Sequence, residues 1–405
     1  MKPIGPLPPE FSGQSGELVV AGRGASEWVG EHGSPVFVYD RRIAAARVAR
    51  FRAAFPDIDL HYAIKANPHP PLVAAIAGMV DGLDVASAGE LRLALECKAA
   101  GAVSFAGPGK RDWELEAAVA AGVTLNLESE GEAERAFAAG DRLGVTPRLA
   151  VRVNPGFELR GSGMRMGGRP SPFGVDAERV PALVRRVVAA GADWRGFHVY
   201  AGSQTLDAQA VADTQAATLL LAARLAEEAG VEPALVNFGG GFGVPYFAGD
   251  AALNVERVGA DLTRALASRP DVLTRNRFAI ELGRWLVAEC GVYLTRVVDR
   301  KESGGETFLV VDGGLHHQLA ASGNFGTVVR RNYPIAVAGR MGAEPDEVVS
   351  VVGCLCTPLD RLGDRVALPR AGVGDVIALF LAGAYGASAS PAAFLGHPAA
   401  AEVVA

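Results

Sequence analysis

Between residues 40 and 285 two hydrophobic patterns take turns along the chain. Short apolar runs of strand length lie at 60–64, 83–86, 103–106, 124–127, 148–153, 196–200, 234–238 and 277–280. Longer stretches rich in Ala, Arg, Leu and Glu separate them, at 41–55, 88–100, 111–121, 130–143, 177–190, 208–229 and 255–267. Strands apolar on both faces belong inside a parallel sheet, and a helix-length segment between them is the crossover such a sheet needs. Eight such runs in roughly 245 residues predict a (β/α)8 barrel rather than an open doubly wound sheet.

After residue 285 the texture changes. Runs at 287–298, 307–311, 347–352 and 375–381 read as strands, and loops containing Gly, Asn and Pro join them. This predicts an antiparallel β domain. Two further strand-like runs, 18–21 and 36–39, precede the barrel without helices of their own and are expected to join that domain. The expected division is therefore 1–39 with the β domain, 40–285 as barrel and 286–405 as β domain.

Composition narrows the class. The 405 residues are 49% hydrophobic, enough for a large core and too apolar for a disordered chain. A net charge of -6 leaves no basic footprint for nucleic acid or an anionic membrane. The N-terminal MKPIGPLPPEF lacks the apolar core of a signal peptide, and the best apolar run, 376–384, has the length of a buried strand. The expectation is a cytoplasmic globular protein. Four scattered cysteines exclude a disulfide framework, and Cys97 and Cys290 are expected in the core. Cys354 and Cys356 read as a thiol pair; no second Cys/His pair follows, so no metal site is expected.

A barrel builds its function at the carboxyl ends of its strands. There the first strand runs into Lys65, which is either a solvated surface lysine or a desolvated amine able to form a Schiff base. The seventh ends in Gly239-Gly240-Gly241-Phe242-Gly243, either a tight turn or a backbone cradle for phosphate. Its spacing is not that of a dinucleotide site. The eighth ends in Glu281-Leu282-Gly283-Arg284, a local ion pair or a carboxylate for a protonated ring nitrogen. Amine, phosphate cradle and carboxylate together are what pyridoxal phosphate requires.

The chain resembles the group IV, fold-type III pyridoxal-phosphate decarboxylases, the family of diaminopimelate and ornithine decarboxylases. The motifs that carry the resemblance are Tyr62-Ala63-Ile64-Lys65-Ala66-Asn67, Asp84-Val85-Ala86-Ser87-Ala88-Gly89-Glu90, Arg152-Val153-Asn154-Pro155, the glycine run, Glu281-Leu282-Gly283-Arg284 and Gly383-Ala384-Tyr385-Gly386. The resemblance implies an alanine racemase-like architecture and a head-to-tail homodimer with shared active sites. It implies that Lys65 holds the cofactor and that Glu281 pairs with the pyridine nitrogen. Gly240, Gly241, Gly243, Ser203, Arg284 and Tyr385 would surround the phosphate. Cys356, reaching in from the partner subunit, would protonate the quinonoid carbon after CO2 leaves; a thiol suits this because its ordinary pKa lies near working pH.

Three departures bear on function. Tyr200 stands where the family has a ring-stacking His; it can stack but supplies no imidazolium, and His198 beside it reads as structural. Leu282 replaces a Pro of the family motif. Thr357 follows Cys356 where the family places an acid for the substrate's distal ammonium, and Asp360 is the nearest substitute. Arg330 and Arg331 are candidates for a substrate carboxylate or acyl group, or a surface pair. Cys-Thr-Pro-Leu-Asp, His316-His317 and Ala-Gly-Ser-Gln resemble a divergent branch of biosynthetic-cluster and exosortase-associated members, some acting on carrier-protein-tethered amino acids. The expected activity is pyridoxal-phosphate-dependent α-decarboxylation of an amino acid or amino-acyl substrate in a specialised pathway. The alternatives are a decarboxylase of a free dibasic amino acid, a racemase on the same barrel, and an inactive regulatory homologue.

Overall fold

The computed structural model describes residues 1–161, 164–165, 170–323 and 330–405. Eight parallel strands close on themselves: Asp59–Ala63, Gly82–Val85, Val103–Phe105, Thr124–Leu127, Arg148–Asn154, Asp193–Val199, Leu235–Asn237 and Arg277–Leu282. Closure comes from Leu282 lying opposite Tyr62 and Ile280 opposite Leu60. The predicted (β/α)8 barrel is what the chain forms.

Local chemistry explains where its helices start and stop. Ser87 and Ser129 each accept a hydrogen bond from the backbone N–H three residues on, Glu90 at 3.2 Å and Glu132 at 3.1 Å. Asp207 caps Ala208–Ala229, which ends at Gly230 in the left-handed region. One barrel helix, Pro70–Ala77, falls outside the sequence expectation. Its PPLVAAIA carries no polar face, so no helical period marks it; the two prolines sit at the helix start, where their missing N–H groups cost nothing.

The second sheet runs Ile335–Val337, Val376–Leu379, Gly291–Ser303, Glu306–Val311, Glu347–Val352 and Arg361–Leu368. Val36–Tyr39 pairs antiparallel with Gly291–Ser303 and parallel with Ala401–Val404, so both ends of the chain meet in this sheet. The sheet is therefore mixed where the sequence predicts an antiparallel one. Glu306–Val311 also runs parallel to Glu347–Val352, because residues 312–346 are long enough to carry the chain back to its starting end. The run 18–21 contributes only Val19–Val20, paired with Arg23–Gly24. It touches the β domain through Leu18 N–H to the Ala338 carbonyl instead of through a ladder.

The two units meet where Gly383 passes Gly291 and the Val287 carbonyl, too close for a Cβ on either glycine. Among the described residues no helix is long and apolar enough to cross a membrane.

Candidate active site at the barrel mouth

The first strand does not run on through Lys65. It ends at Ala63, and Ile64–Ala66 turn as a single 3-10 unit that presents Lys65 at the mouth while burying Ile64 and Ala66. The turn is tied to the β domain. Tyr385 N–H donates to the Ala66 carbonyl at 2.7 Å, and Asn67 Nδ2 donates to the Gly383 carbonyl at 3.0 Å. Lys65 Nζ lies 5.6 Å from the centre of the Tyr200 ring. The atoms crowding its amine strip away water and work against its charge although the residue is exposed at the mouth, yet Tyr200 and Glu281 outweigh this and raise it above the ordinary lysine value.

Glu281 is the penultimate residue of the eighth strand and is buried. Burial alone would neutralise it. Instead His198 Nε2, 3.0 Å from Oε2, with Lys65 and Arg152 holds it down to about 2. Asn237 adds Nδ2 at 3.4 Å to the same oxygen, and its own Oδ1 accepts from Gly239 N–H at 2.8 Å. His198 is thus part of the charge network rather than a bystander. Its place near the end of the strand Asp193–Val199, two residues before Tyr200, was the available signal.

The glycine run needs its missing side chains. Gly239 and Gly241 have φ of 69° and 98°, a region that L side chains rarely adopt. A Cβ on Gly240 would collide with the Glu281 carbonyl, and one on Gly243 with that of Thr205. Ser203 approaches on the short pair Gly202–Ser203 with Met164–Arg165. Arg284 lies next to this loop, Nη1 3.1 Å from Tyr246 Oη and its guanidinium 4.6 Å from the Tyr385 ring. Its Nε is buried without a hydrogen-bond partner, and no carboxylate among the described residues neutralises it. Cradle and unsatisfied guanidinium fit an anion. Arg152, missed as a charge partner, is buried against Glu128 at 2.9 Å.

The other candidates belong to the β domain. Cys356 is exposed in the loop 353–360 of the β domain, and Thr357 serves the same turn, its Oγ1 accepting from Leu359 N–H at 3.4 Å. Asp360, the nearest acid to Thr357 in sequence, is buried and bonded to the chain's own backbone. Both its oxygens are taken by backbone, Oδ1 by Leu315 N–H at 2.6 Å and Oδ2 by Leu355 N–H at 2.9 Å. Arg330 donates to the Leu359 carbonyl at 3.2 Å, and Arg331 stacks 3.8 Å from the Phe247 ring. A separate concavity lined by Asp59, His61, Arg195 and Arg277 reaches Asn237 but none of Lys65, Glu281, the glycine run or Arg284.

Residues 41–288 match the family model described as pyridoxal-dependent decarboxylase, pyridoxal binding domain. An L-glutamyl-[BtrI acyl-carrier protein] decarboxylase of Niallia circulans is 36% identical over 92% of this chain and 88% of that one. A diaminopimelate decarboxylase of Archaeoglobus fulgidus is 34% identical over 97% and 93%. The solved structure of M. jannaschii diaminopimelate decarboxylase with L-lysine superposes with a TM-score of 0.88 at 25% identity, covering 96% of this chain and 91% of that one.

Proposed function

The chain belongs to the pyridoxal-dependent decarboxylases, and on that premise we propose that it removes the α-carboxyl group of an amino acid presented as an acyl group on a carrier protein. The residues at the mouth fit the cofactor. The glycine run packs its side-chain-free backbone closer to neighbouring carbonyls than any Cβ would allow, the buried Arg284 Nε lacks a partner, and Glu281 stays ionised in a buried position.

Pyridoxal phosphate, when bound, accepts the electron pair left at Cα as CO2 departs. Lys65 Nζ is the amine that would hold its carbonyl carbon until substrate amine takes over. Gly240, Gly241, Gly243, Ser203, Arg284 and Tyr385 would surround the phosphate, and Tyr200 would offer its ring face. Glu281 would favour a protonated ring nitrogen, because a neighbouring anion favours the cationic form. Cys356 would deliver a proton to Cα from a second copy of the chain, whose loop 353–360 would complete the site.

The observation that carries the substrate reading is the state of that loop. Thr357 offers no charge, and Asp360 spends both oxygens on Leu315 and Leu355. A substrate ammonium buried there would lack a counter-ion. An acyl chain needs none, and the relative from Niallia circulans acts on such a substrate by its name.

The test is CO2 release by the cofactor-loaded protein from free lysine, ornithine, arginine, meso-diaminopimelate and glutamate, set against glutamate thioesterified to an acyl-carrier protein. Turnover of the thioester with silence on the free panel is expected. Rapid turnover of a free dibasic member would overturn the tethered-substrate reading and show that another acid reads the distal amine.

A further inference from the structure

We propose that His316, Cys354 and His397 form a site for one divalent transition-metal ion, zinc by preference, which clips the C-terminal segment to the loop that carries Cys356. The three residues come from distant parts of the β domain. His316 follows the strand Glu306–Val311, Cys354 follows Glu347–Val352, and His397 lies just beyond the short helix Phe394–Gly396. One ligand atom from each lies within 4.8 Å of the other two, and Cys354 Sγ is 3.8 Å from His397 Nδ1. The sequence offered no second Cys/His pair beside Cys354; the fold supplies two imidazoles.

The independent observation is His316 itself. It has no solvent exposure, and neither ring nitrogen has a hydrogen-bond partner among the described residues. Burying an imidazole in this way is unfavourable unless something takes up a lone pair. Its neighbour shows that partners are available here. His317 Nδ1 is 3.0 Å from Tyr293 Oη and its Nε2 is 2.9 Å from the Pro398 carbonyl. Of the two, His316 alone is left turned toward Cys354 and His397.

The backbone around the cluster is already braced. Asp360 binds the N–H groups of Leu315 and Leu355, which are the residues next to His316 and Cys354. His317 binds Pro398, the residue after His397. Such supporting contacts orient metal ligands. Tetrahedral zinc places its nitrogen and sulfur ligands roughly 3.3 to 3.6 Å apart, so closure needs a movement of about an ångström, which rotation of the half-buried His397 supplies. Binding releases the Cys354 proton and leaves the fourth position to water. Two imidazoles and one thiolate suit a borderline-soft ion.

The experiment uses the untagged, cofactor-loaded full-length chain, stripped with chelator and titrated with Co2+. Uptake of about one equivalent with the intense visible d–d bands of a four-coordinate site, displaced by zinc, is expected. Cys354→Ser and His397→Ala, neither at a fully buried position, should bind at least about tenfold more weakly. Zinc should raise the unfolding midpoint of the natural chain and leave theirs unmoved. No uptake, the weak spectrum of a six-coordinate ion, or uptake unchanged in both variants would overturn the site. None of these readouts depends on which substrate the enzyme takes.

Discussion

Glu281 shows how one buried group is held in the state its proposed role requires. Burial favours the neutral acid, and His198 at 3.0 Å reverses that preference. A carboxyl whose folded pKa lies below its unfolded value contributes stability that is complete above about 4.5 and fades as pH falls toward 2. His198→Leu removes the imidazole that holds the carboxylate and leaves Glu281 buried with Asn237. The expected cost is about 3 kcal/mol at pH 7, shrinking as pH approaches 4, read from denaturant melts at the two values. An equal loss at both would assign the effect to packing instead. At this scale Lys65, Glu281 and the glycine run were legible, because an amine, a carboxylate and side-chain-free backbone at strand ends are unusual. His198 and Arg152 were not, since their weight lies in Glu281 and Glu128, which fold up beside them from other strands.

Whole elements respond to backbone constraints that a side-chain list hides. Gly240 lies against the Glu281 carbonyl, and Gly196, with φ of 120°, against that of Leu235. Gly240→Ala and Gly196→Ala are both expected to cost about 1–3 kcal/mol, from overpacking and strain respectively. Only Gly240→Ala should also weaken pyridoxal phosphate binding, followed by cofactor absorbance during dialysis. Equal cofactor loss in both would mean that the glycine run acts through the fold alone. The loop 353–360 yields a second test. Asp360→Ala leaves two buried N–H groups unpaired, at about 1–3 kcal/mol each. Alkylation of the exposed Cys356 should quicken as the loop loosens, and KM for substrate should stay unchanged if Asp360 is only a clamp. Among the elements, the barrel strands were readable within a few residues because each is short, apolar and bounded by a helix. Arg361–Leu368 was not, since Gly363 and the left-handed Arg365 break its alternation where the ladder shifts register.

At the scale of the molecule, the proposed mechanism assigns Lys65 and Cys356 to different copies of the chain. If so, Lys65→Ala and Cys356→Ala are each nearly inactive, and mixing them after mild denaturation restores one complete site in each hybrid dimer. Random reassortment gives about a quarter of the natural activity, measured as formation of the Cα-protonated amine product. No recovery beyond the two parents would place both residues in one subunit's site. The alternation of apolar runs and helical stretches already specified the barrel, because a parallel strand buried on both faces can be satisfied in few other ways. The order of motifs specified where its candidate site lies. Tertiary structure alone decided which polar groups meet across long separations: His198 with Glu281, Asp360 with Leu315 and Leu355, and Cys354 with His316 and His397. Hydrophobic periodicity is a local signal repeated many times along a chain. A single polar contact leaves no period, and it exists only once the strands that carry its two ends have been packed side by side.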